Sequence, residues 1–331
     1  MSETKSQLKI AHWSMYNSSG MNRVAESMVE AEKKLGLDSY LCNCQGDIEK
    51  FKHVYDADIH VNHTHFPDGM RQRVTKPLKI VWVGHGTPEH VFQSAVESGQ
   101  MGYGHGDSWM LIQYWLQHAD AIVTFWPRHE AIWRSLCDKG KNIHCIPLGV
   151  DRDFWKPTPT RGKWAGNPSL WSGENAHYIK WPLDLFILWP WVYPKVPGSC
   201  LHVSYLPKDM HRWFFPLVNR NGAAYASHIT ATVWDHDNLR NIFNSVDYFI
   251  GLVRYGDFNR LCLEAKACGV KTISYSGNVY SDFWLPEGDQ RTMADQLVEI
   301  LKGNVAPRKT EEAPTSEDMA KAMLQVYQEL L

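Results

Sequence analysis

Residues 254–270, RYGDFNRLCLEAKACGV, constrain the fold more than any other stretch of this chain. A polar loop runs directly into a helix, Gly269 stops that helix, and the apolar strand Thr272–Tyr275 follows at once. Such a unit packs its helix on one face of a sheet, which points to an α/β architecture. The N-terminus of the helix offers free backbone N–H groups and the positive end of a dipole, so it suits an anion. Glu264, one to two turns in, is placed to hold sugar or ribose hydroxyls beside that anion.

The same alternation runs along the rest of the chain. Leu8–Trp13 reads as a short apolar strand and 14–20 as a polar loop. Met21–Leu35 reads as a helix with Val24, Met28 and Ala31 on one face, stopped by Gly36. Strands are expected at Ser39–Cys42, Asp58–Asn62, Ile80–Val83, Ala121–Phe125 and Asn142–Ile146, with helices at Trp109–His118 and Arg128–Lys139. The second half continues with strands Ser169–Ser172, Cys200–Ser204, Ala231–Trp234 and Asp247–Val253, and helices Lys180–Val192 and Asn238–Val246. A last amphipathic helix, capped at Ser316 with Glu317 and Asp318 in its first turn, carries Met319, Met323, Val326, Tyr327 and Leu330. Strands spaced by helices predict doubly wound parallel sheets. With 331 residues the chain exceeds the size at which one core stops growing, so two domains are expected. The Pro- and Gly-bearing stretch Lys156–Pro168 reads as the linker between them.

Composition narrows the function classes. A net charge of −2 gives no global basic field for nucleic acid or an anionic membrane. No apolar run reaches bilayer length, and the start, MSETK, lacks a signal-peptide apolar core. Seven cysteines, an odd count without framework spacing, read as reduced thiols of a cytoplasmic protein. Trp181, Trp189 and Trp191 read as packing residues of one apolar helical stretch.

Several metal and nucleotide patterns are set aside. Asp56 with Asp58, Asp151 with Asp153, and Asp235 with Asp237 each match a two-carboxylate metal pattern, and a pattern that recurs so readily carries little information. His60, His63 and His65 have zinc-like spacing but read as a strand end followed by a polar loop. Gly102, Gly104 and Gly106 do not follow a strand and read as a loop. No metal site is assigned.

Segment 254–270 resembles the donor-site signature of retaining glycosyltransferases of the GT-B fold, family 4 in particular. Phe258, Glu264, Ala265, Ala267, Cys268 and Gly269 agree with the pattern. The first Glu of the signature falls on Gly256, Asp257 is the nearest carboxylate, and Asn259 stands for the second glycine. Residues 146–151, IPLGVD, are similar to the segment that leads from the first to the second domain in that family, with Leu148 in place of an Asn. Residues 172–180, SGENAHYIK, correspond to the family's phosphate turn. Lys180 survives there, while the Arg position holds Glu174.

The resemblance implies two Rossmann-like domains facing a cleft. Residues 1–155 would form an acceptor-side domain, 156–312 a nucleotide-sugar-binding domain, and 313–331 a helix returning to the first. It implies a metal-independent, anomer-retaining transfer of a hexosyl or related group from a UDP- or GDP-linked sugar by front-face displacement, with no separate cofactor. Lys180, Arg254 and Arg260 would hold the diphosphate, Glu264 the ribose, and Phe258 and Asn259 the rest of the donor. Asp257 would do the sugar-facing work of the missing Glu, the alternative being that it caps the helix. Gly20 would let backbone approach the phosphates. His85, in the turn Gly84–Thr87 at a strand end, would contact the reacting hydroxyl. Arg71 and Arg73, in a basic run with Lys76 and Lys79, are acceptor-side candidates or a solvated charged face. The acceptor stays open among glycans, lipid-linked sugars, small molecules, proteins and modified DNA bases. A sugar-nucleotide epimerase or hydrolase, or a catalytically silent sugar- or nucleic-acid-binding descendant, is the alternative.

Overall fold

A computed structural model describes residues 7–14, 20–44, 46–64, 66–67, 69–86, 115–137, 140–159, 162–164, 166–173, 183–203, 226–228, 236–253 and 259–331. The chain divides into two compact units, Met1–Asp151 with Pro314–Leu331, and Arg152–Ala313.

The first unit holds a parallel sheet of β1 (Lys9–Ser14), β2 (Asp38–Asn43), β3 (Ile59–Asn62), β4 (Ile80–Gly84), β5 (Ala121–Thr124) and β6 (Asn142–Cys145) in the order β2-β1-β3-β4-β5-β6. Helices α1 (Gly20–Lys34) and α2 (Pro127–Leu136) belong to this unit. Strands β3, β4 and β5 are buried along their whole length; β4 and β5 accordingly read as apolar runs, whereas β3 alternates Ile59 and Val61 with the buried polar His60 and Asn62. Much of the tryptophan goes into this core. Trp82 meets Trp133 edge-on at 4.8 Å and stacks on Trp115 at 6.2 Å.

The second unit holds β7 (Ser169–Ser172), β8 (Cys200–Val203), β9 (Ala226–His228), β10 (Tyr248–Gly251), β11 (Lys271–Tyr275) and β12 (Phe283–Leu285), all parallel, in the order β12-β11-β10-β7-β8-β9. Among the described residues it carries helices α3 (Leu183–Val192), α4 (His236–Ser245), α5 (Arg260–Ala267) and α6 (Gln290–Leu301). Its core gathers Leu170, Leu188, Trp189, Ile250, Ile273 and Leu297. A second aromatic group, Trp171, Phe243 and Phe249, has ring centroids 5.3–5.8 Å apart.

One device sets register in both sheets. Asp58, Asp120, Asp247 and Asp282 each stand immediately before a strand and accept an N–H from the start of the neighbouring one. Their partners are Lys9 at 2.9 Å, Ile80 at 2.8 Å, Ser169 at 2.9 Å and Thr272 at 2.9 Å. A charge-assisted bond at that place pairs a backbone donor that the ladder leaves over. Asp58 also pairs with Lys76, and Asp56 pairs with Lys9.

Helix ends follow their glycines. Gly36, Gly269 and Gly303 have φ of 82°, 81° and 78°, and the residue after each donates back across the last turn. The last helix, α7 (Ser316–Leu330), is capped by Thr315 in a reciprocal box with Asp318, not by Ser316 as expected. The Ser316 hydroxyl instead meets that of Ser27 on α1 at 3.3 Å. Helix α7 lays Met319, Met323, Val326 and Tyr327 against the first unit.

Three further expectations change. The described parts of 156–168 are not a free linker: Thr158 N donates to Asn244 Oδ1 at 2.8 Å, Trp164 N to Ser245 O and Asn167 N to Gly198 O. Trp155 packs on Phe243 at 5.9 Å, so the division falls before it. Trp191 is not core. It is 42% exposed, with Arg291 over its ring, whereas Trp189 is fully buried and Trp181 lies outside the described residues. The expected strand 231–234 also lies outside them. Strand β12 and helix α6 had no counterpart in the sequence reading.

Candidate functional site

Strands β7 and β10 are neighbours, yet β8 continues the sheet on one side and β11 on the other. The connections after β7 and β10 therefore leave in opposite directions. Such a reversal opens a crevice at the C-terminal ends of the strands, where open α/β sheets bind ligands. The two segments expected from the sequence to hold the donor follow these two strands. The turn after β7 starts at Gly173 and leads toward Lys180. The turn after β10 leads to Asn259 and α5.

Helix α5 is built to start at this point. Asn259 is its N-cap, with Oδ1 accepting from Leu261 N at 2.9 Å. This removes the alternative that Asp257 caps the helix. Two glycines leave the room. A Cβ on Gly251 would lie 2.5 Å from Asn259 Nδ2 and 2.9 Å from the Phe249 ring. A Cβ on Gly173 would lie 2.3 Å from the Trp171 ring. Both rings are fully buried. Gly251→Ala is expected to push Asn259 off its cap and cost about 1–3 kcal/mol, the range for overpacking a tight site. Chemical denaturation checks this; an unchanged midpoint would contradict the crowding.

Arg260 and Glu264 sit one turn apart on α5. Arg260 Nε donates to Glu264 Oε1 at 2.7 Å, and the carboxylate is fully buried. The sequence reading gave the two residues separate ligand atoms, and the structure first gives them to each other. A buried carboxylate needs such a partner to stay ionised. Held this way it remains an acceptor for hydroxyl groups, while the guanidinium adds positive charge at the first residue of the helix, where the dipole is also positive. Cys262 and Cys268 nearby are buried thiols, each pushed up to about 12 by burial. Lys180, Arg254, Asp257 and Phe258 lie outside the described residues.

The first sheet has its own reversal, between β1 and β3. Gly20 opens α1 there, and a Cβ on it would meet nothing within 4 Å. His85 follows β4 directly. Its turn is held by Trp133, whose Nε1 donates to Gly86 O at 3.1 Å, and the His85 ring stands edge-on to Phe125. His85 Nε2 is 3.0 Å from His63 Nδ1, His63 Nε2 is 3.0 Å from His12 Nδ1, and His12 Nε2 is 2.8 Å from Glu32 Oε2. His63 is held well below the ordinary histidine range, first by burial and then by its two histidine neighbours. His60 is lowered to about 4 by burial and accepts from Trp13 Nε1 at 3.1 Å. The spacing of His60 and His63 thus serves two separate contacts, and His65 lies outside the described residues.

His12 and Glu32 are absent as candidates from the sequence, which shows Tyr327 only as a residue on the apolar face of the last helix. The one signal for them is a histidine in the middle of an apolar strand. Arg71 lies on an exposed turn after β3. Arg73 donates to Glu49 at 2.8 Å and to Gly69 O, and Lys76 pairs with Asp58, so these two members of the basic run carry local contacts.

No family model matches the chain, and no curated protein matches it by sequence. Solved structures do match its fold. Sucrose-phosphate synthase from Thermosynechococcus elongatus superposes with a TM-score of 0.73 at 16% identity, over 98% of this chain and 99% of that one. HepE from Anabaena, solved with UDP and glucose, gives 0.61 at 12% identity over 98% and 96%. The lipopolysaccharide outer core galactosyltransferase WaaB gives 0.64 at 14% identity over 97% and 100%. The two-unit parallel α/β fold described above is the GT-B fold of these enzymes.

Proposed function

We propose that the chain is a glycosyltransferase that takes a sugar from a nucleotide-sugar, UDP- or GDP-linked, and retains the anomeric configuration. One observation carries the reading: the strand reversal between β7 and β10 joins the Gly173 turn and the capped start of α5, the two segments that bear the donor-site residues. The likeness to HepE solved with UDP and glucose supports a nucleotide-sugar in that crevice.

The chemistry follows from charge. The acceptor oxygen bonds to the anomeric carbon on the face from which the diphosphate leaves, and negative charge grows on the departing oxygen. Fixed positive groups lower that barrier most. The reading assigns this work to Arg260, Lys180, Arg254 and the N–H groups opening α5. Glu264 accepts from the ribose hydroxyls, and Asn259 and Phe258 line the donor. Asp257 faces the sugar, a role left to it because Asn259 holds the cap. His85 stands on the acceptor side, with Arg71 and Arg73 as candidates for acceptor contact. A glycan, a lipid-linked sugar or a modified DNA base would suit as acceptor.

Asp257→Asn is expected to lower turnover about tenfold, below the loss for a full charge-stabilising group, with an unchanged melting temperature. Equal kinetics for the two proteins would remove Asp257 from the sugar site. The reading as a whole is tested by incubating the protein with UDP- and GDP-sugars, with and without an acceptor panel. Sugar transfer supports it. Acceptor-independent release or epimerisation of the sugar would assign the same donor site to a hydrolase or epimerase instead.

A further inference from the structure

The acceptor side of this reading has a buried extension. We propose that His63, His12 and Glu32 form a proton relay beneath His85, receiving the acceptor hydroxyl's proton and holding it on His12 beside the Glu32 carboxylate. The inference rests on the reading of His85 as an acceptor-side group.

The geometry is continuous. Three imidazoles from β1 and from the ends of β3 and β4 join nitrogen to nitrogen at 3.0 Å and 3.0 Å, and the last reaches Glu32 on α1 at 2.8 Å. The His12 and His63 rings stack at 5.3 Å. His12 and Glu32 are fully buried, and His63 nearly so. A packing role alone would not call for three polar rings in one file through a core.

Glu32 fixes the direction. Its Oε1 accepts from the Tyr327 hydroxyl of α7 at 2.7 Å, and its Oε2 accepts from the Ser39 hydroxyl of β2 at 2.6 Å. With two hydroxyl donors already directed at it, the Glu32 carboxyl is taken in this relay as the acceptor toward His12 as well. His12 therefore carries its hydrogen on Nε2 and accepts through Nδ1. His63 then carries its hydrogen on Nε2, and so does His85, which leaves His85 Nδ1 as the basic atom. A buried carboxylate that orders a neutral imidazole in this way is the logic of a catalytic triad. Tyr327 stays a donor, because burial and the charge of Glu32 push its hydroxyl well above the ordinary tyrosine range.

The step balances. As the acceptor O–H bond breaks, its proton goes to His85 Nδ1. The His85 Nε2 proton passes to His63 Nδ1, and the His63 Nε2 proton passes to His12 Nδ1. The result is neutral His85, neutral His63 and an imidazolium at His12 against Glu32. His63 is the ring least able to hold the charge, since burial and both neighbours oppose it, so the charge does not rest there. The groups facing the stored charge are Glu32 from α1 and His63 from β3. Behind Glu32 stand Tyr327 from α7 and Ser39 from β2. Return of the proton along the same path, to the departed diphosphate or to water, resets the relay.

The test is the tautomer of each ring in the full chain, labelled with ¹⁵N-histidine and read by two-bond ¹H–¹⁵N correlation near neutral pH. Signals are assigned by their loss in His12→Gln, His63→Gln and His85→Gln. The expected result is Nε2–H at all three rings. An Nδ1–H form at His63 or His85, or a resting imidazolium at His12, overturns the proposal. His63→Phe should leave His85 a mixture of tautomers and lower kcat about tenfold, less than the loss of an acid–base group itself, with the donor KM unchanged. His63→Asn, which keeps an acceptor toward His85, should restore the single tautomer. A His63→Phe protein with an unaltered His85 spectrum also overturns the relay. None of the spectra needs a donor or acceptor. Failure of the relay is thereby separate from failure of the transferase reading, which a lack of nucleotide-sugar binding would reveal.

Discussion

Lys180→Ala is expected to lower kcat by roughly 100-fold, the scale for loss of one group that stabilises charge in the transition state. Lys180 stands three residues before α3 in the sequence, outside the described residues. The start of α3 is fixed from inside the second unit: Asp184 is buried, receives the Tyr275 hydroxyl, and accepts from Gln290 Nε2 at 2.9 Å. The proposed function assigns Lys180 to the leaving diphosphate, and this variant tests that assignment. Because the charge on the leaving oxygen grows during the reaction, the loss should fall more on kcat than on donor affinity. Steady-state kinetics with saturating donor would check this. A turnover within a factor of about two of the parent would take Lys180 out of the site. Arg254 would then be the next cation to examine.

Gly149→Ala is expected to cost about 3 kcal/mol, the upper end for overpacking, although it lies far in sequence from any donor-site residue. A Cβ on Gly149 would stand 2.3 Å from Thr315 O, 2.6 Å from Ser316 Cα and 2.7 Å from Ser316 N. All three are backbone atoms at the cap of α7, so no side chain can turn away to make room. The helix would have to move. Its entry is tied by Val150 N to Pro314 O at 3.0 Å and by Ser316 N to Val150 O at 3.2 Å. Its far turns carry Met323 and Tyr327, both fully buried, and the Tyr327 bond to Glu32. Thermal unfolding should show a fall of about 6–12 °C, from the usual 2–4 °C per kcal/mol in a domain of this size. A melting point equal to the parent's would mean that the α7 cap yields easily and that the contact is looser than its distances imply. The same substitution should disturb the His12 tautomer, because Tyr327 is one of the two hydroxyls that donate to Glu32.

The sheets were legible in the sequence for a specific reason. Parallel strands buried on both faces appear as short apolar runs, and Ile80–Gly84 and Ala121–Thr124 are such runs. Helix stops were legible because Gly36 and Gly269 take a left-handed conformation that other residues avoid. Short elements were not. Strand β12 has three residues, too few to show a period. The cap of α7 was misplaced by one residue because Thr315 and Ser316 are both good capping residues, and only tertiary structure reveals that Ser316 is turned toward Ser27.

The candidate site divides in the same way. Glu264 and Arg260 could be picked out from a local pattern, since a helix puts residues four apart on one side. That they pair with each other follows from the burial of Glu264, which the sequence does not state. His85 could be picked out at a strand end. Its partners could not, because His12, His63 and His85 meet only through the register of β1, β3 and β4, and Glu32 joins them from a helix that otherwise reads as a plain amphipathic one. Gly251 and Gly173 were silent for a related reason. A glycine at the end of a strand means nothing until the ring or side chain above it is known.

The central claim is that a nucleotide-sugar binds at the crevice where α5 begins, and one titration tests it most directly. The melting temperature of the full chain is followed against increasing UDP-glucose, UDP-galactose, UDP-N-acetylglucosamine and GDP-mannose, beside Glu264→Gln. A ligand that binds only the folded protein stabilises it by about 2.7 kcal/mol at a hundred times its dissociation constant. The account predicts saturable stabilisation by at least one of these donors, and a dissociation constant raised about tenfold in Glu264→Gln, the scale of one lost charge-assisted hydrogen bond. Absence of stabilisation by every donor, or an identical shift in the parent and in Glu264→Gln, would contradict it.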